Sequence, residues 1–211
     1  MFTRLFSTIL ISIVLGAVPQ VAFSQCVIDQ AYEPNVTQAP FGTVIIGDHP
    51  EPFGDALAAQ VFTVGISGRL CRIDVIADRE AEAPNTGNVI LEVQTTTAGV
   101  PDGAIVASTS RPRADLPTGL PELISFDLPN PPTVEAGEVL AIVLRTDGEM
   151  CSIYFKDNAY AAGRGLFKAE TISWTEIADF EPGTDFGFRT YIQLPISVEE
   201  KSWSRVRALY R

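Results

Sequence analysis

Apolar and polar side chains alternate with a period of two along most of the chain after residue 40. In segments 89–94 and 124–128 every second residue is apolar, and in 186–192 the residues Phe186, Phe188 and Ile192 share one phase. In an extended chain this spacing places the apolar side chains on one face. The pattern therefore predicts half-buried antiparallel β-strands.

The segment Val139–Leu144 differs, because it is apolar at every position. Such a run is typical of a central strand that is covered on both faces. Segments rich in Gly, Pro and Asp separate the strands at intervals of about ten residues, as turns do. These segments are 65–68, 84–87, 101–103, 117–121, 129–132, 147–148, 163–165 and 182–183.

About ten short strands without an interior helical pattern favour an all-β fold. We predict a two-sheet antiparallel β-sandwich, jelly-roll-like, over residues 41–195. Residues 29–40 are polar and contain Pro34 and Pro40, so we predict that residues 25–40 form an extended leader that lies over this domain.

The spacing of apolar residues changes after Pro195 and becomes nearly helical. Residues 196–211 are predicted to form a short basic C-terminal helix docked on the sandwich, or a flexible tail. A role at a membrane surface is a weaker alternative, since a few charges anchor poorly without lipid. The apolar residues are Val198, Trp203, Val206 and Tyr210, and the basic ones are Lys201, Arg205, Arg207 and Arg211.

Residues 1–24 have the organisation of a secretory signal peptide. Arg4 precedes an apolar run from Leu5 to Val18, and small residues stand just before the predicted cut after Ser24. An uncleaved anchor is the alternative, but the run is shorter than the roughly 20 residues that span a bilayer. We expect an exported protein, periplasmic or extracellular, that is not an integral membrane protein after cleavage.

The three cysteines all follow the predicted cut and would enter an oxidising compartment. Cys71 is in phase with Ile73, and Cys151 is in phase with Ile153, so both are expected to point into the core. This favours a disulfide between Cys71 and Cys151, with two buried free thiols as the alternative. Cys26 could instead carry lipid, but Gln25 stands where that signal prefers Gly or Ala.

Charge and composition exclude several functions. Acidic residues outnumber basic ones, 26 to 15, and the net charge of −11 makes a nucleic-acid partner unfavourable. A single histidine, His49, leaves little material for a zinc site or a nucleophile–base pair. Asp157 and Glu176 could be paired as in a glycosidase, but nothing selects them. We expect no enzymatic activity and no cofactor, with one structural calcium ion left open.

Turn and strand segments follow one another in a recognisable order between Gln60 and Ile192. They are 60–64, 68–70, 99–103, 106–108, 126–128, 135–140, 160–163, Trp174 and 185–191. Their order resembles a family of secreted bacterial β-sandwich modules found in surface proteins of the choice-of-anchor type. The resemblance implies an exported, non-catalytic module with an architecture like that of carbohydrate-binding domains.

Aromatic and polar side chains suited to sugar binding are concentrated late in the chain. A sugar ring needs a flat aromatic face, with carboxylates or amides nearby for its hydroxyl groups. Arg189, Tyr191 and Gln193 lie on the strand face opposite Phe186 and Phe188, which predicts that they point outward. The predicted ligand-binding residues are Tyr154, Asp157, Tyr160, Trp174, Arg189 and Tyr191.

These residues also have simpler interpretations, since Trp174 suits a packing position and Arg189 suits an ion pair with a nearby acid. The sequence favours a non-catalytic binding module, with carbohydrate as the leading ligand class. One alternative is a structural or assembly module that contacts another envelope protein, and a minor one is a glycoside-active enzyme. Exposed rings beside carboxylates would favour sugar, whereas a flat apolar patch would favour a protein partner.

Overall fold

The computed structural model describes residues 25–36, 41–49, 54–79, 84–157, 160–177 and 184–195. Extended chain dominates these residues, and a one-turn 3-10 helix at Arg113–Asp115 interrupts it. The strands are β1 (Cys26–Tyr32), β2 (Gly42–His49), β3 (Gly54–Thr63), β4 (Gly68–Asp78), β5 (Asn88–Thr97), β6 (Val100–Pro112), β7 (Glu122–Asp127), β8 (Thr133–Val134), β9 (Val139–Thr146), β10 (Cys151–Asp157), β11 (Arg164–Ala169), β12 (Ile172–Glu176), β13 (Thr184–Phe186) and β14 (Phe188–Gln193).

The strands form two layers of antiparallel sheet. The first layer runs β1-β14-β4-β7, with β8, β10 and β13 continuing it. The second layer runs β12-β11-β3-β9-β5-β6. Strand β2 joins the layers, because it pairs with β10 through its first residues and with β3 through its last. The predicted all-β antiparallel sandwich is therefore confirmed.

The main core lies between the two layers and is filled by alternate residues of their strands. In β4 the inward residues are Ile73, Val75 and Ala77, as the period-two pattern requires. Strand β9 is buried on both sides, because Ala141 and Val143 belong to a second apolar cluster on the outer face of the second layer. This agrees with the uninterrupted apolar run in the sequence.

The predicted disulfide between Cys71 and Cys151 is wrong. Cys71 is bonded to Cys26, with the two Cα atoms 6.6 Å apart, and Cys151 is a buried free thiol. The register of β4 against β14 shifts at the Tyr191–Ile192 step, so a β-bulge puts Cys71 out of phase with Ile73. A bulge cannot be recognised from the alternation of apolar and polar residues. The alternation therefore indicated Cys151 as the partner of Cys71 instead of Cys26.

The segment predicted as an extended leader contains β1, which pairs with β14 at the edge of the first layer. The disulfide ties β1 to β4 across β14. The predicted signal peptide, residues 1–24, and the predicted basic helix or tail, residues 196–211, lie outside the described residues. Among the described residues, no helix has the length and apolar character needed to cross a membrane.

Candidate functional site

The outer side of the second layer, here named the Trp174 face, combines a buried apolar floor with polar side chains at its margins. Because the residues of β9 that point away from the main core are apolar, this outer side is not simply a solvated sheet surface. Leu57 and the half-buried Trp174 pack against the floor. The floor consists of Ala59, Val61, Ala141, Val143 and Leu166.

Strand register aligns the polar margins with this floor. One row of paired residues crosses five strands, from Glu92 in β5 to Glu176 in β12. Between these two acids the row contains Val143, Ala59 and Leu166. Since directly paired residues share one face of a sheet, the two carboxylates stand at opposite margins of the apolar floor.

The margin on the β5 side is built from Glu92, Gln94 and Arg145. The Arg145 Nε donates to Glu92 Oε1 at 2.9 Å, and the Gln94 Nε2 donates to Glu92 Oε2 at 2.7 Å. The Glu92 side chain is only 9 % exposed, whereas the Arg145 side chain is 38 % exposed. The Glu92 carboxylate therefore lies beneath the Arg145 guanidinium, which forms the accessible surface.

The margin on the β11 side is built from Arg164, which holds three segments together. Its Nη1 pairs with the Glu176 carboxylate, and its Nε donates to the Gly99 carbonyl at 3.1 Å. Its Nη2 donates to the carbonyl of Ala98 at 2.9 Å. These carbonyls form the tip of the β5–β6 hairpin, where Ala98 has a positive φ of 54°. Arg164 thus fixes the hairpin tip at one end of the face.

Trp174 lies on β12 between the apolar floor and a cation. The Lys168 Nζ is 5.8 Å from the centre of the Trp174 ring, a cation–π distance. Lys168 is exposed and Trp174 is half-buried. The ring is therefore both anchored by packing and accessible from solvent, with the Lys168 ammonium as its outer neighbour.

An acidic cavity of about 580 Å³ lies where β3, the β9–β10 turn and the β11–β12 turn meet. Asp147, in its wall, accepts a hydrogen bond from the Asn88 backbone N–H at 2.6 Å. This bond, with a second from the Asn88 side chain, holds the pKa of Asp147 below its usual range. The lining residues are Asp48, Asp55, Thr146, Asp147, Gly148, Glu149 and Glu170.

The acids of this cavity are not arranged as a metal site. Within the described ranges, no group of three or more His, Cys, Asp or Glu side chains could hold one metal ion. Asp185, on β13, is buried and accepts a hydrogen bond from the Gln60 side chain at 2.9 Å. Structural calcium remains a prediction from the sequence.

Tyr191 and Arg189 lie on the outer side of the first layer, here named the Tyr191 face. Tyr191 is 8 % exposed, and its hydroxyl donates to Asp74 Oδ2 at 2.7 Å. Arg72 forms two hydrogen bonds to the same carboxylate, at 2.8 and 2.9 Å, and its guanidinium lies 4.2 Å from the Tyr191 ring centre. Arg189 pairs with Glu33 through two hydrogen bonds.

Electrostatics on the Tyr191 face follow from these contacts. Burial by itself would raise the pKa of Asp74, but hydrogen bonds from Arg72, Tyr191 and Ser125 outweigh it and keep that pKa below its usual value. The hydrogen bond to Glu33 raises the pKa of Arg189, and it lowers the pKa of Glu33. The ionised groups of this face are thus satisfied within the protein.

The other predicted tyrosines are also buried and bonded internally. The Tyr154 hydroxyl donates to Asp78 Oδ2 at 2.8 Å, and burial is the main cause that raises its pKa. Tyr160 lies in the main core, where its hydroxyl donates to Gln30 Oε1 at 3.1 Å and burial raises its pKa to about 12. Asp157 ends β10, and its side chain lies outside the described part of the structure.

The structure therefore does not bring the six predicted residues together. Trp174 is on the outer face of the second layer, Tyr191 and Arg189 are on that of the first, and Tyr160 is between the layers. The residues around Trp174 that sequence reasoning missed are Glu92, Gln94, Arg145, Arg164 and Lys168. Glu92 and Gln94 carried a signal, because they are the polar positions of the alternation in β5.

Cys151 on β10, His49 on β2 and Glu176 on β12 are groups of a type that catalysis can use. Burial raises the pKa of the Cys151 thiol to about 12, so the thiolate that a nucleophile requires is not formed near neutral pH. His49 is the last residue of β2. Glu176, the predicted glycosidase-like partner of Asp157, forms an ion pair with Arg164.

No protein-family model matches the chain, and a search of curated proteins finds no significant relative.

Proposed function

We propose that this protein is an exported, non-catalytic carbohydrate-binding module and that the Trp174 face is its binding site. The observation that carries the proposal is the half-buried Trp174 beside an apolar floor with a carboxylate–guanidinium pair at each margin. The resemblance to choice-of-anchor β-sandwich modules supports the same function. Of the six ligand-binding residues predicted from the sequence, only Trp174 belongs to the proposed site.

The chemistry of this face suits a sugar. A pyranose ring has an apolar side that stacks on an indole, and it has vicinal hydroxyls that accept and donate hydrogen bonds. A ring stacked on Trp174 would take the place of the Lys168 ammonium. The guanidinium groups of Arg145 and Arg164 would donate to hydroxyl oxygens, and the Glu176 carboxylate would accept from hydroxyl groups.

Preorganisation also favours this site. Glu92 holds Arg145 and is itself fixed by a hydrogen bond from Gln94, while Glu176 and the carbonyls of the β5–β6 hairpin tip hold Arg164. Side chains that are already fixed lose little conformational entropy when a ligand binds. Neutral glycans, which place no new charge on an acidic protein, are the ligand class that fits these paired groups.

A glycan array followed by titration calorimetry tests the proposal. We expect the wild type to bind a subset of neutral polysaccharides and Trp174→Ala to weaken that binding by roughly thirtyfold, as for a hot-spot aromatic. Phe41→Ala is the matched control, because Phe41 is an exposed aromatic that contacts Tyr154 rather than the Trp174 face. Failure of the wild type to bind any glycan, or unchanged binding by Trp174→Ala, would overturn the proposal.

Export is supported by the disulfide between Cys26 and Cys71, since such bonds persist in oxidising compartments. The signal-peptide pattern of residues 1–24 supports the same location. Mass spectrometry of the protein recovered after expression of the full chain in an exporting host tests it. We expect a mature chain that begins at Gln25, and a chain that still carries Met1 would contradict export by this route.

A further inference from the structure

Strand β6 forms a long open edge of the second layer. It has 13 residues and pairs with β5 along one side, while no strand of the described residues pairs with its other side. Ile105 is 55 % exposed and Val106 is 37 % exposed. Unpaired strand edges of this kind are templates for pairing with another chain.

The charge along this edge is unusual for an acidic protein. From Gly103 to Ser110 the strand has no ionisable side chain, and charged residues stand only near its ends, at Asp102 and Arg111. Natural edges are commonly protected by charged side chains in the middle of the strand. The middle of β6 lacks this protection. Its register against β5 shifts between Pro101 and Ala107, and the Ala104 N–H donates to Asp102 Oδ1 at 3.0 Å, so the regular part of the open edge begins at Ala107.

The other edge strands differ in charge. Among the described strands longer than three residues, those paired on one side only are β1, β7 and β12. Strand β1 carries Asp29, β7 carries Glu122 and Asp127, and β12 carries Glu176, and none of the three contains Lys or Arg. Two copies that met through any of these edges would bring like charges together, which destabilises strand pairing.

We propose that two copies of this chain associate edge to edge through β6, with the two strands antiparallel. Antiparallel pairing reverses one strand, so it brings Asp102 of each copy towards Arg111 of the other. Asp102 forms no ion pair within the described residues. Arg111 donates through Nη1 to the Ser125 carbonyl at 3.1 Å, and its ion pair with Asp115 is long, at 3.8 Å. Strand β6 is thus the edge whose charges attract a second copy.

The geometry of the pair follows from sheet symmetry. Two antiparallel strands of one sheet are related by an axis perpendicular to that sheet, so the second layers of both copies form one continuous sheet. The Trp174 faces of the two copies then lie on the same side of this sheet. The association itself does not depend on sugar binding, and its failure would leave the proposed function untouched.

Sedimentation velocity over a range of protein concentrations tests the proposal. We expect the wild type to be a dimer that dissociates on dilution and Ile105→Lys to be a monomer, because a charge in the middle of the edge blocks pairing. Ile28→Lys on β1 is the matched control, since Ile28 is 51 % exposed on a different edge; it should remain dimeric. Thermal unfolding of both variants checks that they are folded.

A charge exchange tests the orientation. Asp102→Arg and Arg111→Glu should each raise the dimer dissociation constant about tenfold, because each change places like charges together at two symmetric positions. The double variant should restore dimerisation, which a merely unfolded variant could not do. A wild type that is monomeric at every concentration, or an Ile105→Lys variant that still dimerises, would overturn the proposal.

Discussion

The two outer faces of this sandwich use similar residues to different ends. On the Tyr191 face, Arg72, Asp74 and Tyr191 bond to one another and form a closed network. On the Trp174 face, the pair formed by Arg145 and Glu92 stands at the margin of an apolar floor, and an aromatic ring lies near the opposite margin. The first arrangement leaves few groups for a ligand, and the second leaves a surface that a ligand could cover.

The contrast shows that residue type alone does not identify a binding face. Tyrosine, arginine and carboxylate occur on the Tyr191 face in the combination expected of a sugar site. The Tyr191 hydroxyl and the Asp74 carboxylate are, however, already hydrogen-bonded to each other. A buried polar group that is already hydrogen-bonded gains little from a ligand and loses stability when its partner is removed. We therefore expect substitutions on the Tyr191 face to change stability and substitutions on the Trp174 face to change binding.

The largest expected effect is loss of the disulfide, which belongs to the first layer. Reduction, or Cys26→Ser with Cys71→Ser, should lower the free energy of unfolding by about 4 kcal/mol, because the bond closes a loop with a sequence separation of 45. Urea unfolding measures the change. Peptide mapping without reduction should recover Cys26 joined to Cys71, and a Cys71–Cys151 peptide would contradict the structure.

Replacing a carboxylate by an amide on each of the two faces gives the sharpest test of the comparison. Asp74→Asn should lower the free energy of unfolding by about 2 kcal/mol, since it leaves a bonded arginine without its buried counter-charge. Glu92→Gln should cost about 1 kcal/mol, because its arginine partner is more exposed, and it should weaken glycan binding. Urea unfolding and titration calorimetry measure both variants.

Asp127→Asn serves as the control for these variants, because Asp127 is exposed on β7 and should change stability by less than about 0.5 kcal/mol. Glycan binding should be unchanged by Asp74→Asn. The reverse outcome, with Asp74→Asn reducing binding and Glu92→Gln leaving it unchanged, would exchange the roles assigned to the two faces.

Acid should weaken the Tyr191 face through Asp74. The folded chain holds the pKa of Asp74 below its usual value, so ionised Asp74 stabilises the fold above its unfolded pKa. That stabilisation is lost as the pH falls through the lower, folded pKa. Below about pH 4, near the unfolded pKa of an aspartate, the free energy of unfolding should fall more steeply for the wild type than for Asp74→Asn. Parallel curves in this range would contradict the assignment.

The smallest expected effect lies at the end of the Trp174 face. Ala98 and Gly99 form a two-residue hairpin turn with φ values of 54° and 72°, and alanine is disfavoured in that region. Ala98→Asn should raise the free energy of unfolding by about 0.5 kcal/mol, because asparagine tolerates positive φ. Ala104→Asn, at an exposed strand position, is the control and should give no gain in thermal unfolding.

Much of the fold was predictable because a β-strand requires alternating apolar and polar side chains, and this alternation can be detected over a few neighbouring residues. The alternation in segments 89–94 and 124–128 corresponds to β5 and β7, and the two-sided apolar run corresponds to β9. The disulfide was not predictable from the same pattern, since the bulge beside Cys71 changes which face the residue occupies. A single inserted residue is enough to reverse that assignment.

The candidate site was less predictable, because its parts come from four strands in three separate regions of the sequence. Glu92 on β5, Arg145 on β9, Arg164 on β11 and Trp174 on β12 meet only when those strands pair through β3. Tyr191 looked equally suitable from its outward position. The Tyr191 hydroxyl instead donates a hydrogen bond to Asp74, which lies more than a hundred residues earlier in the chain.

The sequence by itself determined that this protein is an antiparallel β-sandwich, because side-chain alternation and turn residues act over a few neighbouring positions. Only the tertiary structure decided which cysteines are bonded, which outer face is closed by its own hydrogen bonds and which strand edge is open. Those properties depend on strand register, bulges and the pairing of distant segments. The energy that fixes them comes from contacts between residues that no local pattern relates.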